Sequence, residues 1–363
     1  MKNLLNKIIF GINILVSAGL LAAYLGTHIS PANFWPLAFF GLIFPYLLIL
    51  NFIFLLYWVI LWKSRALVPL VVILLGINHI HYSFPVIRLR GKVNAEPEAG
   101  DLRILSYNVR AFNLYEWLND PNTNKGIFNF IRSEHPDVIC LQEFYSGEID
   151  QASINYIRLF GEHPYKHVEY VSREKNSGHG IATFSKYPII RKGEIPFRNS
   201  NNMTIFTDIL FNGDTVRIYN NHLQSVRFRE NNYRLLETIG KRKNHPEMDE
   251  IRDLSSKLKT AYIKRAEQTD LVKAHARNSE YPLIICGDFN DTPVSYTYNK
   301  LRKDLKDAFL EAGKGRGNTY LGRLSFRIDY ILYSDNFKAI DFEKVEANLS
   351  DHYPIISVLR LKD

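Results

Sequence analysis

With 363 residues and a formal net charge of +8, the chain is too long for one small domain and basic enough to raise the question of a polyanionic partner. The placement of the charge answers much of it. The first hundred residues carry Lys2, Lys7, Lys63, Arg65, Arg88, Arg90 and Lys92 against only Glu96 and Glu98, so the rest of the chain is close to balance. Two cysteines, Cys140 and Cys286, each inside an apolar run, imply no disulfide framework and read as buried strand thiols.

Three apolar segments open the chain, at residues 8–25, 37–62 and 67–77, the last with a weaker extension to Phe84. The first two have the roughly 20 residues that cross a hydrocarbon core, whereas Asn78, His79 and His81 leave the third short enough to be re-entrant or interfacial. A cleaved signal peptide fits poorly, since the first run exceeds a usual signal core and two more follow; a retained anchor is expected. Trp35, Tyr57, Trp58 and Trp62 sit near segment ends, where amphipathic rings favour the interface. Lys2, Lys7, Lys63 and Arg65 place the N-terminus and the second loop in the cytoplasm, so three crossings would put everything beyond outside it, and a failed third span would leave it cytoplasmic. Residues 1–85 are therefore read as a membrane region with two to three transmembrane helices, 86–100 as a linker rich in glycine, proline and charge, and 101–363 as a catalytic domain.

From Asp101 short β-type runs alternate with helical patterns. Residues 102–109 read as a strand, 126–133 as a helix with Ile127, Phe130 and Ile131 on one face, and 138–141 as a buried strand. Residues 165–171, 181–185 and 203–211 read as strands, and the Asn212-Gly213 turn leads into another at 216–220, a hairpin signal. Residues 227–276 are charged and mostly helical, with Leu254, Leu258, Ile263 and Leu271 expected to face inward; the basic clusters at 241–243 and at Lys257 and Lys259 are mixed with acids and read as a solvated face. Hairpins mixed with crossovers point to mixed sheets.

Six short polar motifs each end a β-type run: S-Y-N-V with Asn108, L-Q-E-F with Glu143, N-N-H-L with Asn220 and His222, G-D-F-N with Asp288 and Asn290, R-I-D-Y with Asp329, and S-D-H-Y-P with Asp351 and His352. Alone, each has an ordinary structural explanation as a cap or a packing residue. Together they put carboxylates, amides and imidazoles at one mouth, where several carboxylates would repel one another unless a cation offset them. Oxygen-rich donors favour Mg²⁺ or Mn²⁺; zinc is disfavoured because no H-E-x-x-H or Cys/His spacing occurs.

In this order the motifs resemble the endonuclease/exonuclease/phosphatase superfamily, which includes DNase I-like nucleases, neutral sphingomyelinases and inositol polyphosphate 5-phosphatases; the resemblance runs from about residue 102 to 361. It implies an α/β fold, a DNase I-like four-layer sandwich of two mixed β-sheets flanked by helices, here preceded by the N-terminal helical transmembrane region. It implies that Asn108, Glu143 and Asp351 are metal ligands and that Asp288 and Asn290 orient the attacking water and the phosphate. It further implies that Asp329 and His352 form a hydrogen-bonded pair, and that His222 contacts the phosphate and can act as general acid. The expected activity is Mg²⁺-dependent phosphoester hydrolysis, foremost as a nuclease, with a phospholipid phosphodiesterase or a small-molecule phosphatase as alternatives.

The expected partners are the phosphoester substrate, a nucleic acid or phospholipid headgroup, and the bilayer. His222 stands where the abasic-site repair branch carries tyrosine, which disfavours that branch. A non-catalytic scaffold would show eroded motifs, and these are intact. His179 is open between a substrate contact and a loop residue, and Arg110 and Arg327 between phosphate contacts and ion pairs.

Overall fold

The computed structural model describes residues 2–85, 96–147, 160–173, 177–226, 248–322 and 325–362. Most of the 86–100 linker and the basic cluster at 241–243 lie outside the described residues.

Among the described residues, twelve strands form two six-stranded sheets. The first sheet joins β11 (Phe337–Lys344), β12 (Ile355–Leu361), β1 (Leu102–Asn108), β2 (Val138–Gly147), β4 (Ser177–Ser185) and β3 (Tyr165–Arg173), in that spatial order. The second joins β5 (Ile189–Ile195), β6 (Met203–Phe211), β7 (Asp214–His222), β8 (Leu283–Asp288), β10 (Asp329–Tyr333) and β9 (Lys306–Asp307). Each sheet has one parallel pair, β1 with β2 and β7 with β8, and is otherwise antiparallel. The mixed sheets expected from the hairpin and crossover signals are thus present.

Side-chain alternation sets the layers. Leu102, Ile104, Val138 and Cys140 of the first sheet meet Val216, Ile218, Ile284 and Cys286 of the second in one buried core. The opposite face of the first sheet, with Leu105, Tyr107 and Leu141, packs on Ile127, Phe128 and Ile131 of α7 (Thr123–Ser133). The opposite face of the second, with Tyr219, Ile285 and Leu332, packs on Val272 and Ala276 of α8 (Met248–Arg277) and on Tyr298 and Leu301 of α9 (Tyr296–Arg302). This is the four-layer sandwich.

The inward register changes character along the strands. It reads Leu102, Ile104, Ser106, Asn108 on β1, Val138, Cys140, Gln142 on β2, Val216, Ile218, Asn220, His222 on β7, and Ile284, Cys286, Asp288 on β8. One end of the sandwich interior is therefore dry and the other polar. Buried amides need partners, and Gln142 Nε2 donates to Asn220 Oδ1 at 2.7 Å and to Ser106 Oγ at 3.2 Å, joining the two sheets beneath the polar end.

In the N-terminal region α1 (Lys2–Gly26) is long and apolar enough to cross a membrane. The second apolar segment is not one straight helix: after the short α2 (Pro31–Phe34), α3 (Pro36–Leu42) and α4 (Phe44–Ile60) meet at 69°. Pro45 lacks an amide hydrogen and crowds the preceding turn, so the helix restarts there. The third segment, from Ser64 through α5 (Leu67–Leu75) into α6 (Ile77–Ser83), bends by 59° at Gly76, where the Tyr24 hydroxyl would lie 1.9 Å from any Cβ. Each bent pair passes as a span only when its two halves are counted together. Trp58 departs from the interfacial expectation. It is fully buried and donates to Asn13, which continues through Ser17 to Asn51, a polar seam that holds α1 against α4.

The helices also dock on the sandwich. Phe39 packs edge-on against Tyr262 at 5.8 Å, Lys259 lies 5.3 Å from the Trp35 ring, and Asn299 donates to the Thr27 carbonyl at 2.9 Å. Along α8, Leu254 and Leu258 are buried and Ile263 half-buried, but Leu271 is exposed, because the inward stripe runs through Arg265, Thr269, Val272 and Ala276 instead.

Candidate active site

The polar end of the sandwich gathers the motif residues. Asn108 ends β1, His222 ends β7 opposite Asp288 at the end of β8, and Asp329, opening β10, lies across from Asp288 on its other side. Glu143 sits in a bulge of β2, where the register against β4 shifts between Leu141 and Phe144, and its φ of 48° turns its side chain into the mouth. Asn290 likewise has φ 53°. Such conformations cost about 1–3 kcal/mol each for non-glycine residues and persist where surrounding contacts hold them. Gly287 precedes Asp288 because its φ is 123° and a Cβ there would stand 2.1 Å from the Asn221 carbonyl.

Asp288 is the hub. Its Oδ1 accepts from the Asn290 amide at 2.8 Å, and its Oδ2 accepts from Asn108 Nδ2 and Asn290 Nδ2, both at 3.1 Å. The same Oδ2 lies 3.9 Å from His222 Nε2 and 3.8 Å from His352 Nε2. His352 Nδ1 is 2.9 Å from Asp329 Oδ2, and Asp329 is held in turn by its amide donating to Thr319 Oγ1 at 3.1 Å. Glu143 Oε1 lies 3.3 Å from Asn108 Nδ2 and 3.6 Å from His222 Nε2. Asp351 pairs with Arg110 at 3.4 Å.

The electrostatics follow the crowding. Burial pushes the Asp288 carboxyl up to about 6, with Asp329 adding to the rise and the two imidazoles opposing it. Burial, with Asp351 close by, also raises Glu143. For His352 burial opposes the charged ring, but Asp329 and then Asp288 outweigh it and bring the imidazole up to about 10. Asp288, Asp329 and His352 bring possible ligand atoms within 4.8 Å of one another, but the charged His352 ring has no free lone pair for a cation, which leaves the carboxylate oxygens as the donors. Glu143, half-buried at the mouth, adds a carboxylate oxygen beside Asp288, and this donor set suits a hard divalent cation. Asn108 faces both carboxylates through Nδ2 while its Oδ1 accepts from the Arg110 amide, so ligation through oxygen requires the amide to turn.

Of the nine motif residues named from the sequence, eight thus lie at one mouth, and Asn220 is buried beneath them between the sheets. His179 faces the adjoining cleft, a cavity of about 450 Å³ that is also lined by Tyr115, Trp117, Met203, Glu143 and His222. Arg327 does not reach a phosphate position: it is buried against Asp307 and donates to the Tyr82 carbonyl at 3.3 Å. Sequence reasoning overlooked Arg265, which is 1 % exposed, donates to the Gln224 carbonyl at 2.9 Å and pairs with Asp291 at 3.1 Å. It ties the turn after His222 to the turn after Asn290. An arginine on the inward stripe of a helix was the available signal.

Residues 105–352 match the endonuclease/exonuclease/phosphatase family, and the chain belongs to it. Its members hydrolyse phosphoester bonds and generally use a divalent metal. Residues 6–83 match a separate domain of unknown function. No curated protein matches the chain.

Among solved structures, an endonuclease/exonuclease/phosphatase from Beutenbergia cavernae is similar, with TM-score 0.53, 18% identity and 72% of each chain covered. The human Nocturnin catalytic domain with bound sulfate follows at TM-score 0.52 and 17% identity, over 74% of this chain and 96% of that one. D. rerio TDP2 complexed with a single-strand DNA product matches at TM-score 0.50 and 16% identity, over 72% and 99%. At these identities the likeness is one of fold.

Proposed function

We propose that this protein is a Mg²⁺-dependent phosphodiesterase acting as a nuclease, anchored in the membrane with its catalytic part on the extracytoplasmic side. The observation that carries the chemistry is Asp288 standing between two imidazole Nε2 atoms at 3.9 and 3.8 Å, with Glu143 3.6 Å from one of them. Glu143, with Asn108 and Asp351, would hold the cation, which when bound polarises a phosphoryl oxygen and offsets charge on the leaving oxygen. Asp288, whose raised pKa suits proton acceptance near neutrality, holds and aligns the attacking water together with Asn290. Asp329 fixes the His352 ring with Nε2 toward the phosphate and keeps it charged, so it opposes the negative charge of the transition state. His222 stands on the mouth side of Asp288, where it can protonate the departing oxygen.

The cleft of about 450 Å³ that continues from Glu143 and His222 leaves room for a substituent on the phosphate, which favours a diester over a monoester. The contacts of Trp35 and Phe39 with α8 favour a second reading, a phospholipid phosphodiesterase, because they hold the catalytic part against the membrane helices. For topology, Arg65 donates to the Asn6 carbonyl, so the basic residues share one end of the bundle, while Thr27 and Tyr82 meet the catalytic part at the other. Basic ends stay cytoplasmic, which supports the outward placement.

The test is a hydrolysis panel on the full chain in micelles, with Mg²⁺ or chelator, covering single- and double-stranded DNA, RNA, sphingomyelin, phosphatidylinositol phosphates and a generic diester. Metal-dependent cleavage of nucleic acid is expected; cleavage confined to lipid would replace the nuclease reading, and cleavage of nothing would remove the hydrolase reading.

A further inference from the structure

Beside Glu143 the cleft has an aromatic wall that the hydrolytic residues do not use. Tyr115 and Trp117 are 58% and 42% exposed, with ring centroids 5.0 Å apart. His179 lies parallel to Tyr115 within 5° at 6.1 Å and is backed by Tyr145 at 4.8 Å. The Arg110 guanidinium covers the Trp117 ring at 4.2 Å and reaches Asp351.

The loop that carries these rings is built at a cost. Arg110, Ala111, Phe112 and Asn113 have φ values of 44°, 50°, 54° and 62°, and none is glycine. Phe112 offsets part of that cost by stacking on Phe128 at 4.9 Å, and Asn113 exchanges two 2.9 Å hydrogen bonds with the Leu118 backbone. A loop held in so unfavourable a shape presents its rings at a fixed place, which is what a stacking platform requires.

We propose that Tyr115, Trp117 and His179 form a subsite that stacks the planar base of a nucleotide adjoining the scissile phosphate. The inference rests on the phosphodiesterase reading and names its substrate class. Aromatic faces attract flat rings without regard to base identity. They also attract quaternary ammonium groups, but Arg110 already places a positive charge on Trp117, which opposes a choline headgroup. The wall is continuous with Glu143 and His222 through one cavity, so a base held there belongs to the molecule whose phosphate is cut.

The experiment uses the full chain in micelles with Mg²⁺, comparing a single-stranded oligonucleotide, the same strand with its bases replaced by abasic residues, and sphingomyelin vesicles. Tyr115→Ala and Trp117→Ala should lower kcat/KM on the intact strand roughly ten- to hundredfold while leaving the abasic strand within about twofold, and Trp117→Phe should recover most of the loss. Equal losses on both strands, parental rates on both, or a loss confined to sphingomyelin would each overturn the subsite. Fluorescence anisotropy with chelator gives an independent reading if nothing is cleaved. Preference for the intact strand that disappears in Trp117→Ala upholds the wall even as the hydrolase reading fails, and no preference ends it.

Discussion

Replacing Asp329 by Asn tests the central pair. His352 Nδ1 and Asp329 Oδ2 are 2.9 Å apart and both residues are buried. A rise of the imidazole from 6.5 to about 10 corresponds to roughly 4–5 kcal/mol in favour of the charged ring. Asp329 raises the imidazole more than Asp288 does, so Asp329→Asn should bring the His352 titration down from about 10 toward the ordinary histidine range, as read by imidazole NMR on the metal-free protein. Because the folded pKa lies above the unfolded one, the pair's stabilisation is full below about 6.5 and is lost as pH rises through about 10. The variant should therefore be less stable than its parent near pH 6, and that deficit should disappear as pH rises through about 10. Turnover with Mg²⁺ should drop by roughly a hundred- to ten-thousandfold while Mn²⁺ affinity is kept. An unmoved His352 titration together with parental turnover would refute the assignment of the pair.

Glu143→Ala and Asp288→Ala should each abolish metal-dependent hydrolysis with circular dichroism unchanged, and retained activity in either would contradict its role. Arg265→Met leaves Asp291 buried without its cation and should cost about 3–5 kcal/mol in urea unfolding, with kcat falling more than KM rises; a parental kcat would mean that the two turns hold their places unaided. A reporter enzyme that works only outside the cytoplasm, fused near Gly100, should be active, and its silence would place the catalytic part on the inner side.

The fold and the cluster were legible because both depend on short-range signals. A strand whose inward register passes from Ile104 through Ser106 to Asn108 announces where the dry core stops, and the Asn212-Gly213 turn announces a hairpin. What stayed hidden depends on contacts between distant segments. The break at Ile43 needed Pro45 to be weighed against an unbroken apolar run. Trp58 looked interfacial until Asn13, 45 residues away, supplied a partner for its indole N–H. Arg327 is open in sequence between a phosphate contact and an ion pair, and only the fold brings Asp307, 20 residues away, to take it as the latter. The platform of Tyr115 and Trp117 rests on a run of left-handed residues with no glycine to advertise it.

The docking of α8 gives the N-terminal helices a bearing on the candidate site. Tyr262 leans on Phe39 of the bundle, and one turn later Arg265 grips the turns that follow His222 and Asn290. The N-terminal helices thus buttress the loops of the candidate site as a wall supports a beam. Removing residues 1–85 would strip Leu254, Leu258 and Val294 of neighbours that now shield them, so the shortened chain would carry sticky surface where the longer one carries a joint.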